Sequence, residues 1–309
     1  MFGVLTQNKS HSLVSALLLF TILLVFNEGI VNAQSPCPST NTVINSTVAN
    51  GCSPPINGSL EVTSAGIINK SGIGPAVVNQ NSFTSFSNAG TIESIDDAAI
   101  YNWARTEIKL INNTGSIIAD AVGADGIKNR GTIGVAGDST MGLFNLSGGT
   151  ISGVGAGISN STAGTITYLS NAGTISGGSG ASQYGINNSG TIVTLTNAGS
   201  IAGTYGIQNS GTVTTLNNLQ SNLTYTGALS TNYNIIINST SNFGKLVATS
   251  ATGSTAFGIA AGLALSKVKE TVSEVIDFGG ALDDASKRTR LSAETLQVWS
   301  KLAELNGAN

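Results

Sequence analysis

Asp96 and Asp97, followed by Arg105, Glu107 and Lys109, form the one charged cluster in a long, weakly charged stretch of this chain. Paired carboxylates beside basic groups could serve a polysaccharide lyase or hydrolase as acid, base or cation ligand. The plainer reading is a solvated loop between structural repeats, and it is the preferred one. Asp120 and Asp125, near Gly123 and Gly126, share the composition of calcium-binding Gly/Asp repeats. That mechanism needs the pattern on successive repeats, and here it does not recur. The single histidine, His11, lies in an apolar leader, so the remaining chain has no imidazole for Ser-His-Asp or Cys-His catalysis and few metal ligands. No phosphate-binding G-x-x-x-x-G-K-[ST] loop is present. A formal charge of −3 with no basic patch argues against nucleic acid. Neither enzyme chemistry nor a cofactor is expected.

The two cysteines, Cys37 and Cys52, lie among Pro36, Pro38, Pro54 and Pro55. In an oxidising compartment they are expected to pair, closing a short loop worth roughly 3 kcal/mol. Two unpaired thiols are the alternative. Two thiolates without histidine partners fall short of a metal site. Export is expected from the first 33 residues. Lys9 supplies a positive charge, Leu13 to Phe26 is an apolar run too short to span a bilayer comfortably, and Val31-Asn32-Ala33 fits a cleavage site. Cleavage is placed between Ala33 and Gln34; a retained anchor is the alternative. Asn45, Asn57, Asn69 and Asn238 stand in glycosylation sequons, which chance supplies in so Asn-, Ser- and Thr-rich a chain.

Repetition shapes the rest. The phrase N-x-G-[TS]-[IV] recurs at Asn88, Asn113, Asn129, Asn171, Asn188, Asn197 and Asn209, with imperfect copies ending at Ile151 and Ile166. A second phrase, G-I-x-N, begins at Gly126, Gly157, Gly185 and Gly206. Its last residue serves as a marker, giving Asn129, Asn160, Asn188 and Asn209, with Val77-Val78-Asn79 and Ile100-Tyr101-Asn102 as earlier copies. The markers are unevenly spaced, as they would be in a coil that returns to the same edge and absorbs insertions in its loops. Short apolar/polar alternation broken by Asn and Gly reads as strand, with Ile of Gly-Thr-Ile inward and Thr outward. The glycine of N-x-G is expected to supply a corner's positive φ. The marker asparagines are expected to stack as a ladder about 4.8 Å per step. Such strands are too short to stand alone, and stacking buries their apolar side continuously.

The fold class expected is all-β: a right-handed parallel β-helix with a short C-terminal helical tail. Four segments follow: a signal peptide at 1–33, an N-terminal cap with the disulfide at 34–64, the β-helix at 65–258 and the tail at 259–309. From Ser139 to Gly244 no residue is charged, whereas the 47 residues from Leu263 to Asn309 hold 13 charges. Leu265, Val268, Val272 and Val275 form one helical stripe, Gly279-Gly280 breaks it, and Leu296, Trp299 and Leu302 start another in a helix opened by Ser292 with Glu294 in its first turn. This tail reads as a bundle helix, a cap over the last turn, or a coiled-coil handle.

The N-x-G-T-I and G-I-x-N phrases resemble passenger domains of Gram-negative autotransporter adhesins. The stretch Asn232 to Ser239, followed by Asn242 to Val247, is similar to the segment that ends such passengers. The resemblance covers roughly Ser64 to Gly258 and implies a parallel β-helix displayed outside the cell, often as an adhesin. Such proteins carry a C-terminal outer-membrane barrel of strands about ten residues long. After Phe257 the sequence reads as helix instead, so a separate outer-membrane translocator is the expected partner, with a cell-surface or glycan ligand. The alternatives are a polysaccharide-active enzyme, a truncated passenger without present function that stays in the periplasm, and an ice-binding solenoid. The last would need Thr91, Thr132, Thr165, Thr174, Thr191 and Thr212 in a flat lattice, and their uneven spacing along the chain speaks against it.

Overall fold

The structure, a computed structural model, describes residues 41–54, 57–180, 182–239 and 241–260. All of them belong to one compact unit, Ser35–Asn309. The helical stripes after Leu263, the leader with its cleavage site at Ala33 and Gln34, and Cys37 lie outside the described residues.

The described chain is an all-β parallel solenoid of about eight turns. The central turns visit three sheets in the same order, and strands of successive turns pair in parallel. One complete turn runs Thr165–Asn171, Thr174–Ser176 and Tyr184–Asn188; the next repeats it as Thr191–Asn197, Ser200–Ala202 and Tyr205–Asn209. The first sheet holds 11 strands, the second 7 and the third 8, so the turns at the C-terminal end lose the second sheet. The first strand among the described residues, Asn41–Ile44, pairs with Ser59–Val62. The segment expected to be a cap therefore contributes strands to the first two sheets.

The second and third sheets each send one aliphatic column into the core and the first sends two, one of them Ile108, Ile133, Ile166, Ile192 and Val213. Leu143, Leu169, Leu195 and Leu216 stack in the first sheet. Ile92, Ile117, Ile151, Ile175 and Ile201 stack in the second. Ile100, Ile127, Ile158, Ile186 and Ile207 stack in the third. None of these is more than 1% exposed. Burying each such side chain is worth about 1.5–3 kcal/mol, and no single turn could achieve it without the turns above and below.

Uneven repeat length is absorbed in loops while the register is kept. Ile133 pairs with Ile166 and Leu143 with Leu169, so residues 134–142 leave the coil at the bend that Thr167 and Tyr168 occupy one turn later.

The corner glycines differ from expectation. Gly90, Gly115, Gly173, Gly190, Gly199 and Gly211 are absent from the positive-φ residues. Their constraint is close stacking: a Cβ on Gly173 would stand 2.2 Å from the Gly149 carbonyl oxygen, and one on Gly190 2.2 Å from that of Gly164.

Candidate functional site

Two asparagine ladders hold the corners. The six marker asparagines end the third-sheet strands and form an unbroken chain of amide hydrogen bonds. Nδ2 of Asn79 donates to Oδ1 of Asn102 at 2.6 Å, Asn102 to Asn129 at 2.7 Å, Asn129 to Asn160 at 2.8 Å, Asn160 to Asn188 at 2.7 Å and Asn188 to Asn209 at 2.7 Å. The second hydrogen of each amide finds a backbone carbonyl, as Asn160 does at Thr191. A second ladder ends the first-sheet strands: Asn88, Asn113, Asn145, Asn171, Asn197 and Asn218 are linked at 2.8–3.2 Å. All twelve amides are at most 2% exposed. Buried amides demand full pairing, and each ladder supplies it.

Tyrosines close both ladders at the C-terminal end. Tyr225 replaces isoleucine in the third-sheet core column, above Ile207, while Gly227 stands where the next asparagine would be. Its hydroxyl donates to the Ala228 carbonyl at 2.6 Å, the same oxygen that receives Asn209 Nδ2. Tyr233 replaces leucine above Leu216, and its hydroxyl oxygen accepts from Asn218 Nδ2 at 3.4 Å. Burial raises both phenols, Tyr233 to about 12. The second sheet ends differently. Gln220 places its side-chain amide against Ile201, accepting that N–H at 2.8 Å and donating to that carbonyl at 3.1 Å, and so stands in for a missing strand. A bare sheet edge is an invitation to pairing with another chain.

Inward asparagines leave their neighbours facing out, and one pair of turns displays chemistry there. Tyr101 and Trp103 flank Asn102; Lys128 and Arg130 flank Asn129 one turn on, with Lys128 in register with Tyr101. Arg130 N donates to the Asn102 carbonyl, which sets Arg130 beside Trp103. The rings of Tyr101 and Trp103 meet edge to face at 5.2 Å. Lys128 Nζ lies 5.7 Å from the centre of the Tyr101 ring, and Arg130 Nη1 donates to the Tyr101 hydroxyl at 3.0 Å. Val78, Ala98 and Tyr101 form a small apolar cluster separate from the main core, with Trp103 packed against it. Trp103 Nε1 is buried without a hydrogen-bond partner.

The charged cluster singled out in the sequence is not one constellation. Asp96 and Asp97 lie between the second and third sheets, and Asp97 caps its own corner by accepting Ala98 N–H at 2.7 Å. Arg105, Glu107 and Lys109 lie beyond strand Ile100–Asn102: Arg105 at an exposed corner with φ 69°, Glu107 heading a first-sheet strand. The coil instead brings Asp97 near Asp125 of the next turn, a pairing invisible in the linear chain. Asp120 stays exposed in the corner loop that also holds Asp125. Among the described residues no group of three His, Cys, Asp or Glu could hold a metal ion. A shallow depression of about 180 Å³ near Glu61, Asn88, Asn112 and Thr114 offers a single carboxylate. Cys52 is buried at the start of the third sheet, bridging to Val77; the other half of the expected disulfide, Cys37, is not among the described residues.

The outward threonines fall into columns despite their uneven spacing along the chain. Thr132, Thr165, Thr191 and Thr212 pair in register on the first sheet. Thr91 and Thr174 belong to a second-sheet column with Ser116, Thr150 and Ser200. Sequence spacing was a poor guide here, because insertions leave the coil as loops.

Among the carboxylates, Asp125 is raised by burial: desolvation lifts its pKa above the ordinary 3.8, opposed by Lys128, the Ala156 N–H and Ser159. A carboxyl whose folded pKa is raised costs stability while ionised, and that cost disappears as pH falls from the folded pKa towards the unfolded one. Asn can still accept the Ala156 N–H. Asp125→Asn is therefore expected to be the more stable protein at pH 7, with the gap closing by pH 4 in denaturant titrations. A variant less stable at pH 7 would show that the Lys128 attraction outweighs burial.

No protein-family model, curated protein or solved structure matches this chain.

Proposed function

We propose that this chain is an exported, passenger-like β-helix that works as an adhesive module on or outside the cell, without catalysis of its own. The observation that carries the reading is the uncharged outer surface from Ser139 to Gly244, on which hydroxyl and amide side chains repeat in register turn after turn. A repeated polar rail suits many weak contacts with a glycan or another surface, and their joint strength grows with the number engaged. The winding is taken as right-handed, the hand that parallel crossovers adopt. The leader, a Cys37–Cys52 bridge in an oxidising compartment and a separate outer-membrane translocator belong to the same reading.

The test is expression with the leader in a Gram-negative host, followed by fractionation and protease treatment of intact cells. When a compatible translocator is supplied, the mature chain is expected at the surface or in the medium, and displaying cells are expected to gain adherence to glycan-coated surfaces. A leader retained on a cytoplasmic product, or display with no gain in adherence, overturns the proposal.

A further inference from the structure

We infer that the Tyr101, Trp103, Lys128 and Arg130 array is a subsite for an acidic polysaccharide. The inference rests on the adhesive reading and names the ligand class and the place. Register makes the array: positions on either side of a ladder asparagine are aromatic on one turn and cationic on the next. The next turn carries Ser159 and Ser161 at the same positions, so the two cations occupy a single step of an otherwise neutral rail. A half-buried indole offers a face for a sugar ring, and a lysine and an arginine from the next turn, both reaching back to Tyr101, can meet a carboxylate or sulfate on that sugar. Tyr101 is a positioning residue. Its hydroxyl accepts from Arg130 and its ring lies beneath Lys128, which holds both cations to one side of the ladder. Asp125 offsets Lys128 in part.

The probes are dextran sulfate, polygalacturonate and unmodified dextran, added to the full secreted chain and followed by tryptophan emission and calorimetry. Lys128→Met with Arg130→Met removes both charges but keeps apolar stems over Tyr101. Lys109→Met removes an exposed cation from the first sheet as a control. Dextran sulfate is expected to bind in a salt-dependent manner, to shift the emission, and to bind at least tenfold more weakly to the double variant only. Tyr101→Phe is expected to weaken binding a few fold with an unchanged melting temperature. Equal binding by wild type and double variant, or equal affinity for dextran, overturns the subsite. Binding to dextran alone would leave the adhesive reading standing while this inference falls. Failure of all three probes removes the subsite, and the adherence assay then decides the adhesive reading separately.

Discussion

Replacing Asn171 by alanine is expected to lower the stability of the solenoid by about 4 kcal/mol, because two or three buried polar groups lose a partner at about 1–3 kcal/mol each. Asn171 accepts from Asn145 at 2.8 Å and donates to Asn197 at 2.9 Å and to the Ser200 carbonyl at 3.0 Å. The ladder amides lie in the interior, where water cannot take the lost partner's place, while the bond to the exposed Ser200 is only part-buried. Position along the ladder should matter. Asn79 begins its ladder, with its own Oδ1 turned to the Asn81 N–H at 3.3 Å. Asn79→Ala orphans the amide on one side only and is expected to cost roughly half as much. Asn171→Asp is the sharper probe, since it keeps the shape and removes the donor. It is expected to be worse than alanine at neutral pH, where a buried carboxylate faces carbonyl oxygens. It should recover as the pH falls and the acid regains a hydrogen to donate. Guanidinium melts of the three variants decide the matter. A cost below about 1 kcal/mol for Asn171→Ala would mean that the ladder is a consequence of stacking and not a support for it.

The same substitution should also alter cooperativity. Turns contact only their neighbours, so a lesion in the middle weakens the coupling between the two halves, whereas one at the end only frays it. Asn171→Ala is accordingly expected to broaden or split the transition.

The architecture was legible because its cause is local. An isoleucine after Gly-Thr or Gly-Ser has one side that must be hidden, and the only structure that hides it at every copy is a stack. The three sheets were harder to see, because N-x-G-[TS]-[IV] marks two different corners. At Asn88, Asn113, Asn171 and Asn197 it turns the chain from the first sheet to the second; at Asn129, Asn188 and Asn209 it turns the chain from the third sheet into the next turn's first. Read as one series, the phrase conceals the second ladder, whose member Asn145 precedes an imperfect copy. Separating the two corners by the G-I-x-N phrase would have exposed it. Tyr225, Tyr233 and Gln220 were not legible at all. Each acts only because the ladder or sheet beside it has ended, and where a stack ends depends on pairing between turns. The Tyr101 array was within reach: Tyr-Asn-Trp and Lys-Asn-Arg surround two consecutive markers, and register between consecutive markers is what a ladder supplies.

The glycine corners give the most severe expected effect, and a graded series separates its causes. At Gly190 a Cβ would lie 2.2 Å from the Gly164 oxygen and 2.3 Å from the Ser161 oxygen, both backbone atoms held by the turn below. Neither can swing aside as a side chain would, so Gly190→Ala must push two turns apart and break ladder bonds as it does so. The expected cost exceeds about 4–5 kcal/mol, the range in which single substitutions are exceptional, and the variant is expected to be found misfolded or degraded. Gly137 tests backbone conformation instead. Its φ is +79° but nothing lies within 4 Å of its Cβ position, so alanine there should cost about 1–2 kcal/mol, the penalty for a left-handed residue with a side chain. Gly72 has neither constraint, and Gly72→Ala should be neutral or stabilising by about 0.4–1 kcal/mol through the unfolded chain. Thermal melts of the three proteins, with secretion yield as a second readout, rank the mechanisms. If Gly190→Ala ranked with Gly137→Ala, the contact between turns would be softer than its 2.2 Å geometry demands.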